Sequence, residues 1–94
     1  MKYLVAGILK SGSEETVLKL RDEWNEHLSQ PDRKISLMGL LRNNLGERRG
    51  YLAFLEADTF AEAESFMKQS PFYQNGLYER IEVSEFTAEI GDFA

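Results

Sequence analysis

The sequence predicts an α+β fold with a four-stranded antiparallel sheet and two helices on one of its faces. Three observations support this fold class. Four segments carry the apolar residues of β-strands, two segments carry apolar residues at helical spacing, and the segments follow one another in the order β-α-β-β-α-β. That order is typical of the ferredoxin-like arrangement, in which both helices pack on the same face of the sheet.

Length and composition agree with one domain that spans residues 1–94. The chain is 43% hydrophobic and 12% aromatic, which is enough for one core, and it contains no linker, repeat or low-complexity tract. The formal net charge of -5 argues against nucleic acid or an acidic membrane as a partner. The absence of cysteine excludes disulfides, thiolate metal sites and cysteine nucleophiles.

The first predicted strand is Lys2–Leu9, which is apolar on both alternations and is therefore expected to be buried. No cleavage-like segment follows this short apolar run, so the run indicates a strand and not a signal peptide. We therefore expect a cytoplasmic protein.

The first helix is predicted after the break at residues 11–13, because Glu14 and Glu15 are favourable in a first helical turn. Pro31 and Asp32 are expected to close it. One apolar stripe at helical spacing should form its buried face: Val17, Leu20, Trp24 and Leu28.

The middle of the chain is predicted to be a β-hairpin, with strands over residues 34–41 and 50–57 and a turn over residues 43–47. Three arginines flank this turn: Arg42, Arg48 and Arg49. We interpret this cluster as a solvated hairpin tip, with phosphate binding as the less favoured alternative.

A capping box of Thr59 and Glu62 predicts the start of the second helix, which should end at Ser70 because Pro71 disfavours helical geometry at the residue before it. Gly76 tolerates the positive φ of a turn into the last strand. Four residues of the second helix should face the sheet: Phe60, Ala63, Phe66 and Met67. In the last strand, Leu77, Ile81 and Val83 alternate with Tyr78, Arg80 and Glu82.

Both faces of the predicted sheet are apolar, and two helices can cover only one of them. In the first strand Leu4, Ala6 and Ile8 oppose Tyr3, Val5 and Leu9, and in the second strand Ile35, Leu37 and Leu41 oppose Met38 and Leu40. An uncovered apolar face of this size is unusual in a monomer, so we expect a homodimer. We assign Met38 to the dimer interface, and Phe86 to the same face as Arg80.

The segment around Pro71 resembles the YCII-related (YciI-like) family, and the resemblance covers most of the chain. The family pattern has Asp-Pro and an aromatic residue, then Gly, an apolar residue, Tyr-Glu and an alternating strand. The matching residues here are Pro71, Phe72, Gly76, Leu77, Tyr78 and Glu79, and Ser70 stands at the position of the acid. The resemblance implies a dimeric α+β barrel.

The resemblance also implies a histidine on the first helix near that acid, a pair suited to proton transfer. His27 is the only histidine in the chain. Matching Arg21 to the family's basic residue puts Trp24 in the histidine position, whereas placing His27 there requires a larger deletion in the following loop. The alternative is that His27 is a partly exposed residue in the last helical turn, where the helix dipole stabilises its protonated form.

Two functions therefore remain open. The first is a non-catalytic dimeric module that binds a small anionic or aromatic molecule in a cleft between sheet and helices. The second is an enzyme that uses His27 for proton transfer or elimination on a hydroxylated aromatic compound or a small acid, with Arg80 holding the anion. We predict a ligand site formed by Trp24, Met38, Ser70, Tyr78 and Arg80. No metal, cofactor, nucleic acid or membrane is expected.

Overall fold

A computed structural model describes residues 1–32 and 34–91 of the chain. The strands are β1 (Lys2–Leu9), β2 (Ile35–Arg42), β3 (Arg48–Glu56) and β4 (Tyr78–Glu85). The helical segments are α1 (Glu14–Lys19), α2 (Arg21–Leu28), α3 (Phe60–Lys68) and α4 (Pro71–Gln74). The α+β fold class and the order of strands and helices are as predicted, except that the first predicted helix is divided into two segments and the short helix α4 follows the second.

The four strands form one antiparallel sheet in the order β2-β3-β1-β4. Its two faces differ because directly paired residues of antiparallel strands present their side chains on the same side. The helix face carries the buried core residues of β1 and β3, which pack with residues from the helices: Tyr3, Val5, Leu9, Ala53, Leu55, Val17, Ala63, Phe66, Met67 and Phe72. We call the opposite side the open face.

The division of the first helix lies at Leu20, whose φ of −95° and ψ of 10° depart from helical values. The backbone N–H of Trp24 still donates to the Leu20 carbonyl at 2.9 Å, so α2 begins directly after α1. The predicted apolar stripe of this region packs in or against the core. The interruption therefore does not remove the buried face.

The second helix begins as predicted. Thr59 Oγ1 accepts from the Glu62 backbone N–H at 3.2 Å, and Glu62 Oε2 accepts from the Asp58 N–H at 3.1 Å. Three of the four residues predicted to face the sheet are buried, whereas Phe60 is exposed and meets the edge of the Tyr3 ring. The helix ends before Ser70, which is extended, and Pro71 then opens the short helix α4.

Three β-bulges interrupt the sheet; one lies at the hairpin end, where Arg49 is the extra residue, and the other two alter which predicted site residues share a face. Ile35 pairs with Leu55 and Leu37 with Phe54, so one extra residue of β2 lies between these pairs. Beyond it, Met38 pairs with Ala53 on the helix face and packs against the core. The assignment of Met38 to the dimer interface is therefore wrong.

The second of these two bulges lies in β4. Ile8 pairs with Arg80, and Leu9 pairs with Tyr78, so Glu79 is the extra residue. Because of it, Tyr78 turns to the helix face and is buried in the core, while Arg80 stays on the open face. The prediction that Tyr78 and Arg80 share a face is wrong.

The open face is apolar, as the sequence predicts. Its apolar side chains are Leu4, Ala6, Ile8, Leu37, Leu41, Leu52, Phe54 and Phe86. Leu37 is 55% exposed, and all the helices of residues 1–32 and 34–91 that join the core lie on the other side of the sheet. Every helix in this part of the chain is too short or too polar to span a membrane.

Candidate functional site

Three aromatic rings from three separate elements meet between the sheet and the helices. Trp24 of α2 stacks on Phe72 of α4, with ring centroids 4.5 Å apart and planes 20° apart. Tyr51 of β3 stacks on the same ring at 5.5 Å and contacts Trp24 at 5.0 Å. Offset contacts of this kind are the favoured arrangement of aromatic side chains.

The aromatic cluster forms one wall of a surface cleft of about 380 Å³, which we call the aromatic cleft. Its lining combines apolar and cationic groups: Val17, Leu18, Arg21, Trp24, Asn25, Arg48, Tyr51 and Phe72. Flat rings and guanidinium groups in the lining of one cleft are suited to an aromatic molecule that carries a negative charge. The expectation that Trp24 belongs to the core stripe and also borders a cleft agrees with this geometry.

Tyr78 lies beneath this cluster, where its ring meets Phe72 edge to face at 6.2 Å. Burial raises the pKa of the Tyr78 phenol well above its usual range, a hydrogen bond with Ser70 partly opposes this, and the nearby Tyr51 phenol raises the pKa further. Tyr78 therefore remains a neutral hydrogen-bonding phenol at physiological pH and cannot serve as a base there.

Ser70 is 1% exposed. Its hydroxyl accepts from the Phe72 backbone N–H at 3.2 Å and caps α4. Its hydrogen bond with Tyr78 therefore joins the cap of α4 to the start of β4. At the position where the family pattern has an acid, this chain holds a neutral pair of hydroxyl groups, so Ser70 supplies no negative charge.

Arg48 and Tyr51 lie side by side at the aromatic cleft. Burial raises the pKa of the Tyr51 phenol, whereas the charge of Arg48 and a hydrogen bond from its guanidinium lower it. The interpretation of Arg48 as part of a solvated hairpin tip is wrong, because its side chain is half-buried and its Nε atom is shielded from solvent.

His27 occupies the last turn of α2, but it is only 7% exposed. The interpretation as a partly exposed residue is therefore wrong. Its ring lies 4.7 Å from that of Phe66 and 5.9 Å from that of Trp24, measured between centroids. On its outer side it lines a second cleft of about 650 Å³, among acidic and amide residues such as Glu23, Glu26 and Gln74.

The predicted site residues thus separate into three groups. Trp24, Ser70 and Tyr78 belong to the aromatic cluster or lie directly beneath it. Met38 packs on the helix face through β2, outside the lining of the aromatic cleft. Arg80 is exposed on the opposite side of the sheet, beside Ile8.

Sequence reasoning missed Tyr51, Arg48 and Gly7. Tyr51 alternates with Ala53 and Leu55 along β3, so strand parity places it on the helix face. Arg48 carries no such signal, because the end of a hairpin strand is usually solvated. Gly7 leaves the space that the Tyr78 ring fills. This contact joins two strands that are far apart in sequence, so the pattern of neither strand indicates it.

The fold is similar to those of two solved structures. One is the 5-chloro-2-hydroxyhydroquinone dehydrochlorinase of Burkholderia phenoliruptrix, in complex with 2,5-dihydroxybenzoquinone; its TM-score is 0.82 at 21% identity, over 93% of this chain and 94% of the other. The other is a NIPSNAP domain protein of Burkholderia xenovorans, with a TM-score of 0.50 at 14% identity, over 97% of this chain and 98% of the other. None of the curated proteins matches this sequence.

The family profile described as YCII-related domain matches residues 1–87. The match includes both the helix that carries His27 and the segment from Ser70 to Glu79 on which the resemblance rests. The chain therefore belongs to the YCII-related family.

Proposed function

We propose that this protein binds a small, flat aromatic molecule in the aromatic cleft, as a binding module without catalytic turnover. The observation that carries this proposal is the cluster of Trp24, Tyr51 and Phe72, whose rings border a cleft large enough for one substituted ring. Clefts lined by aromatic side chains with a few polar groups are the usual form of small-molecule sites.

The dehydrochlorinase that shares this fold supports the proposal, because it is described in complex with 2,5-dihydroxybenzoquinone, a flat hydroxylated ring. We therefore choose that compound as the first probe. Trp24 is the only tryptophan, so its indole N–H gives a single signal in a proton–nitrogen correlation spectrum. Titration with 2,5-dihydroxybenzoquinone is expected to shift this signal along a saturable curve.

A matched pair of variants tests whether the cleft is responsible. Phe72→Leu removes a buried ring that stacks on Trp24, whereas Tyr73→Leu removes an exposed ring from the same short helix. Phe72→Leu should weaken binding by about tenfold, because the Trp24 ring at the cleft loses the aromatic ring that it stacks on and that holds it in place. Tyr73→Leu should bind as the wild type does. Equal binding by all three proteins would contradict the proposal.

The alternative is an enzyme in which His27 transfers a proton. His27 is buried next to Trp24, which favours this alternative, but Ser70 carries no charge and Arg80 lies on the other side of the sheet. The three residues do not converge on one pocket, which supports binding without turnover. Incubation with 5-chloro-2-hydroxyhydroquinone should therefore release no chloride above the rate without protein. Chloride release that His27→Gln abolishes would establish the enzyme instead.

The proposal also includes a second copy of the chain that covers the open face. Leu4, Ile8, Leu37 and Leu52 form an apolar surface there, with the polar Arg80, Glu82 and Ser84 along β4. A symmetric pair of such faces would bury apolar side chains on both partners.

A further inference from the structure

The two arginines that line the aromatic cleft indicate which kind of aromatic molecule the site accepts. Arg21 and Arg48 both line the cleft, and Arg48 is the one next to the aromatic wall through its contact with Tyr51. Arg21 is an exposed residue at the start of α2. Arg48 is therefore the cation whose interactions are least weakened by water.

The positive charge of Arg48 is not neutralised within residues 1–32 and 34–91. The ion pairs found there join other residues, and none of them includes Arg48. Its Nε atom is shielded from solvent and has no hydrogen-bond acceptor in the same part of the chain. A shielded guanidinium nitrogen without an acceptor is costly, and an incoming anion would relieve that cost.

The neighbouring Tyr51 indicates which kind of anion Arg48 would bind. Tyr51 is a neutral phenol whose pKa is raised by burial, so it can donate a hydrogen bond as well as accept one. A guanidinium and a phenol at one end of a stacked aromatic wall match a ring that carries a planar oxyanion, since Arg binds such groups through paired hydrogen bonds.

We infer that Arg48 is the anion-binding residue of the aromatic cleft, and that its ligands are aromatic rings bearing a carboxylate or an ionised hydroxyl group. This inference rests on the proposed function, because it assigns the charge of a ligand whose ring lies against Trp24. Arg48 thus takes the anion-binding role that the sequence suggested for Arg80, since Arg80 lies on the opposite side of the sheet from the cleft.

The test compares benzoate with benzamide, two flat rings of nearly the same shape that differ in charge. The titrations follow the Trp24 indole signal in the wild type, Arg48→Gln and Arg49→Gln. In the wild type, benzoate should bind at least about tenfold more tightly than benzamide, because charge-assisted hydrogen bonds are roughly twice as strong as neutral ones. Arg48→Gln should reduce this preference to near unity.

Arg49→Gln is the matched control, since Arg49 is the adjacent, exposed arginine and does not line the aromatic cleft. It should keep the benzoate preference. Loss of the preference in Arg49→Gln as well would indicate general surface charge and would overturn the role of Arg48. Equal binding of both probes to the wild type would overturn it too, while leaving aromatic binding intact.

If neither probe, nor 2,5-dihydroxybenzoquinone, moves the Trp24 signal, both the proposed function and this inference fail. Circular dichroism should first establish that each variant is folded. If Arg48→Gln does not fold, Arg48→Lys replaces it, because lysine keeps the charge and loses the planar fork. A several-fold fall of the benzoate preference in Arg48→Lys supports the inference, and an unchanged preference overturns it.

Discussion

The aromatic ring of Tyr78 occupies the space where the side chain of any residue other than glycine at position 7 would begin. A β-carbon built on Gly7 would overlap the Cε1, Cζ and Cδ1 atoms of that ring. Glycine in β1 is thus required by a side chain of β4, and the ring in turn reaches Ser70 and Phe72 across the core. Because Gly7 has no side chain, the Tyr78 ring can lie against β1, with its hydroxyl group next to that of Ser70.

The first prediction follows from this overlap. Gly7→Ala should lower the free energy of unfolding by about 2–4 kcal/mol, because the Tyr78 ring cannot move without disturbing the core. The measurement is urea denaturation at neutral pH. Gly39→Ala is the control, since Gly39 also lies in a strand but has open space where its β-carbon would stand. Gly39 is on the open face, so both glycine variants are also measured in a Leu37→Glu background, in which a second copy does not cover that face. The effect of Gly39→Ala should stay within about 0.5 kcal/mol.

A double variant separates the overlap from other causes. Tyr78→Ala should make Gly7→Ala far less harmful, so the two changes should be non-additive by 1 kcal/mol or more, within the range of about 0.5–3 kcal/mol seen for residues in contact. Additive losses would mean that Gly7 is needed for another reason.

The order of strands and helices along the chain and the core were predictable from the sequence, but the faces of two strands were not. Apolar alternation predicts the faces of β1 correctly, since Tyr3, Val5 and Leu9 are buried together. The failures lie at two of the three bulges, near Ser36 and Glu79, where one inserted residue turns every side chain beyond it to the other face. No Gly or Pro marks either position. A bulge is set by pairing with a neighbouring strand, so one strand's own pattern does not indicate it.

Of the predicted ligand-site residues, Trp24, Ser70 and Tyr78 lie in or beneath the aromatic cluster, but Tyr51 and Arg48, which line the same cleft as Trp24, were not predicted. Trp24 follows from helical spacing, and Ser70 and Tyr78 follow from the motif around Pro71. Arg48 could not be found this way, because the cleft that it lines is formed by residues from elements that are distant in sequence.

The second prediction concerns the acid that the family pattern has at position 70. Ser70→Asp should lower the free energy of unfolding at pH 7 by about 2–4 kcal/mol, because the site is buried and the Ser70 hydroxyl is bound there by a backbone N–H and a neutral phenol. Ser70→Asn, which has a similar shape without charge, should cost less.

The loss in Ser70→Asp should depend on pH. Burial raises the pKa of the new carboxyl in the folded state above its unfolded value of about 3.9. The variant is therefore least destabilised below about pH 4 and loses stability as the pH rises toward 7. Urea denaturation at several pH values measures this. The same loss at pH 4 and pH 7, or a pH-dependent loss in Ser70→Asn, would contradict the argument.

The third prediction uses the raised pKa of the Tyr78 phenol. A group whose folded-state pKa is raised contributes stability that is present below its unfolded pKa, about 10 for tyrosine, and is lost at higher pH. Tyr78→Phe should cost about 1 kcal/mol at pH 8 through the lost hydrogen bond to Ser70. Above pH 10 the difference in the free energy of unfolding between the wild type and this variant should narrow. The Tyr78 phenol ionises in the unfolded wild type and stabilises that state, whereas the variant has no phenol at this position.

Urea denaturation from pH 8 to pH 11 measures that difference. Tyr73→Phe is the control, because Tyr73 is 39% exposed and is not part of the buried core cluster. It should follow the wild type at every pH. If the difference in the free energy of unfolding between Tyr78→Phe and the wild type stays constant from pH 8 to pH 11, ionisation of Tyr78 does not cause the wild type to lose stability at high pH.

The last prediction separates the two faces of the sheet with adjacent residues. Leu37 lies 55% exposed on the open face, and Met38 packs against the core on the helix face. If a second copy covers the open face, Leu37→Glu should convert a dimer into a folded monomer in sedimentation at micromolar concentration, because it places a charge in an apolar interface. Met38→Glu should instead destabilise the protomer by about 2–4 kcal/mol, since its carboxylate enters the core. A monomeric wild type would contradict the dimer, and dissociation by Met38→Glu with intact stability would contradict the assignment of faces.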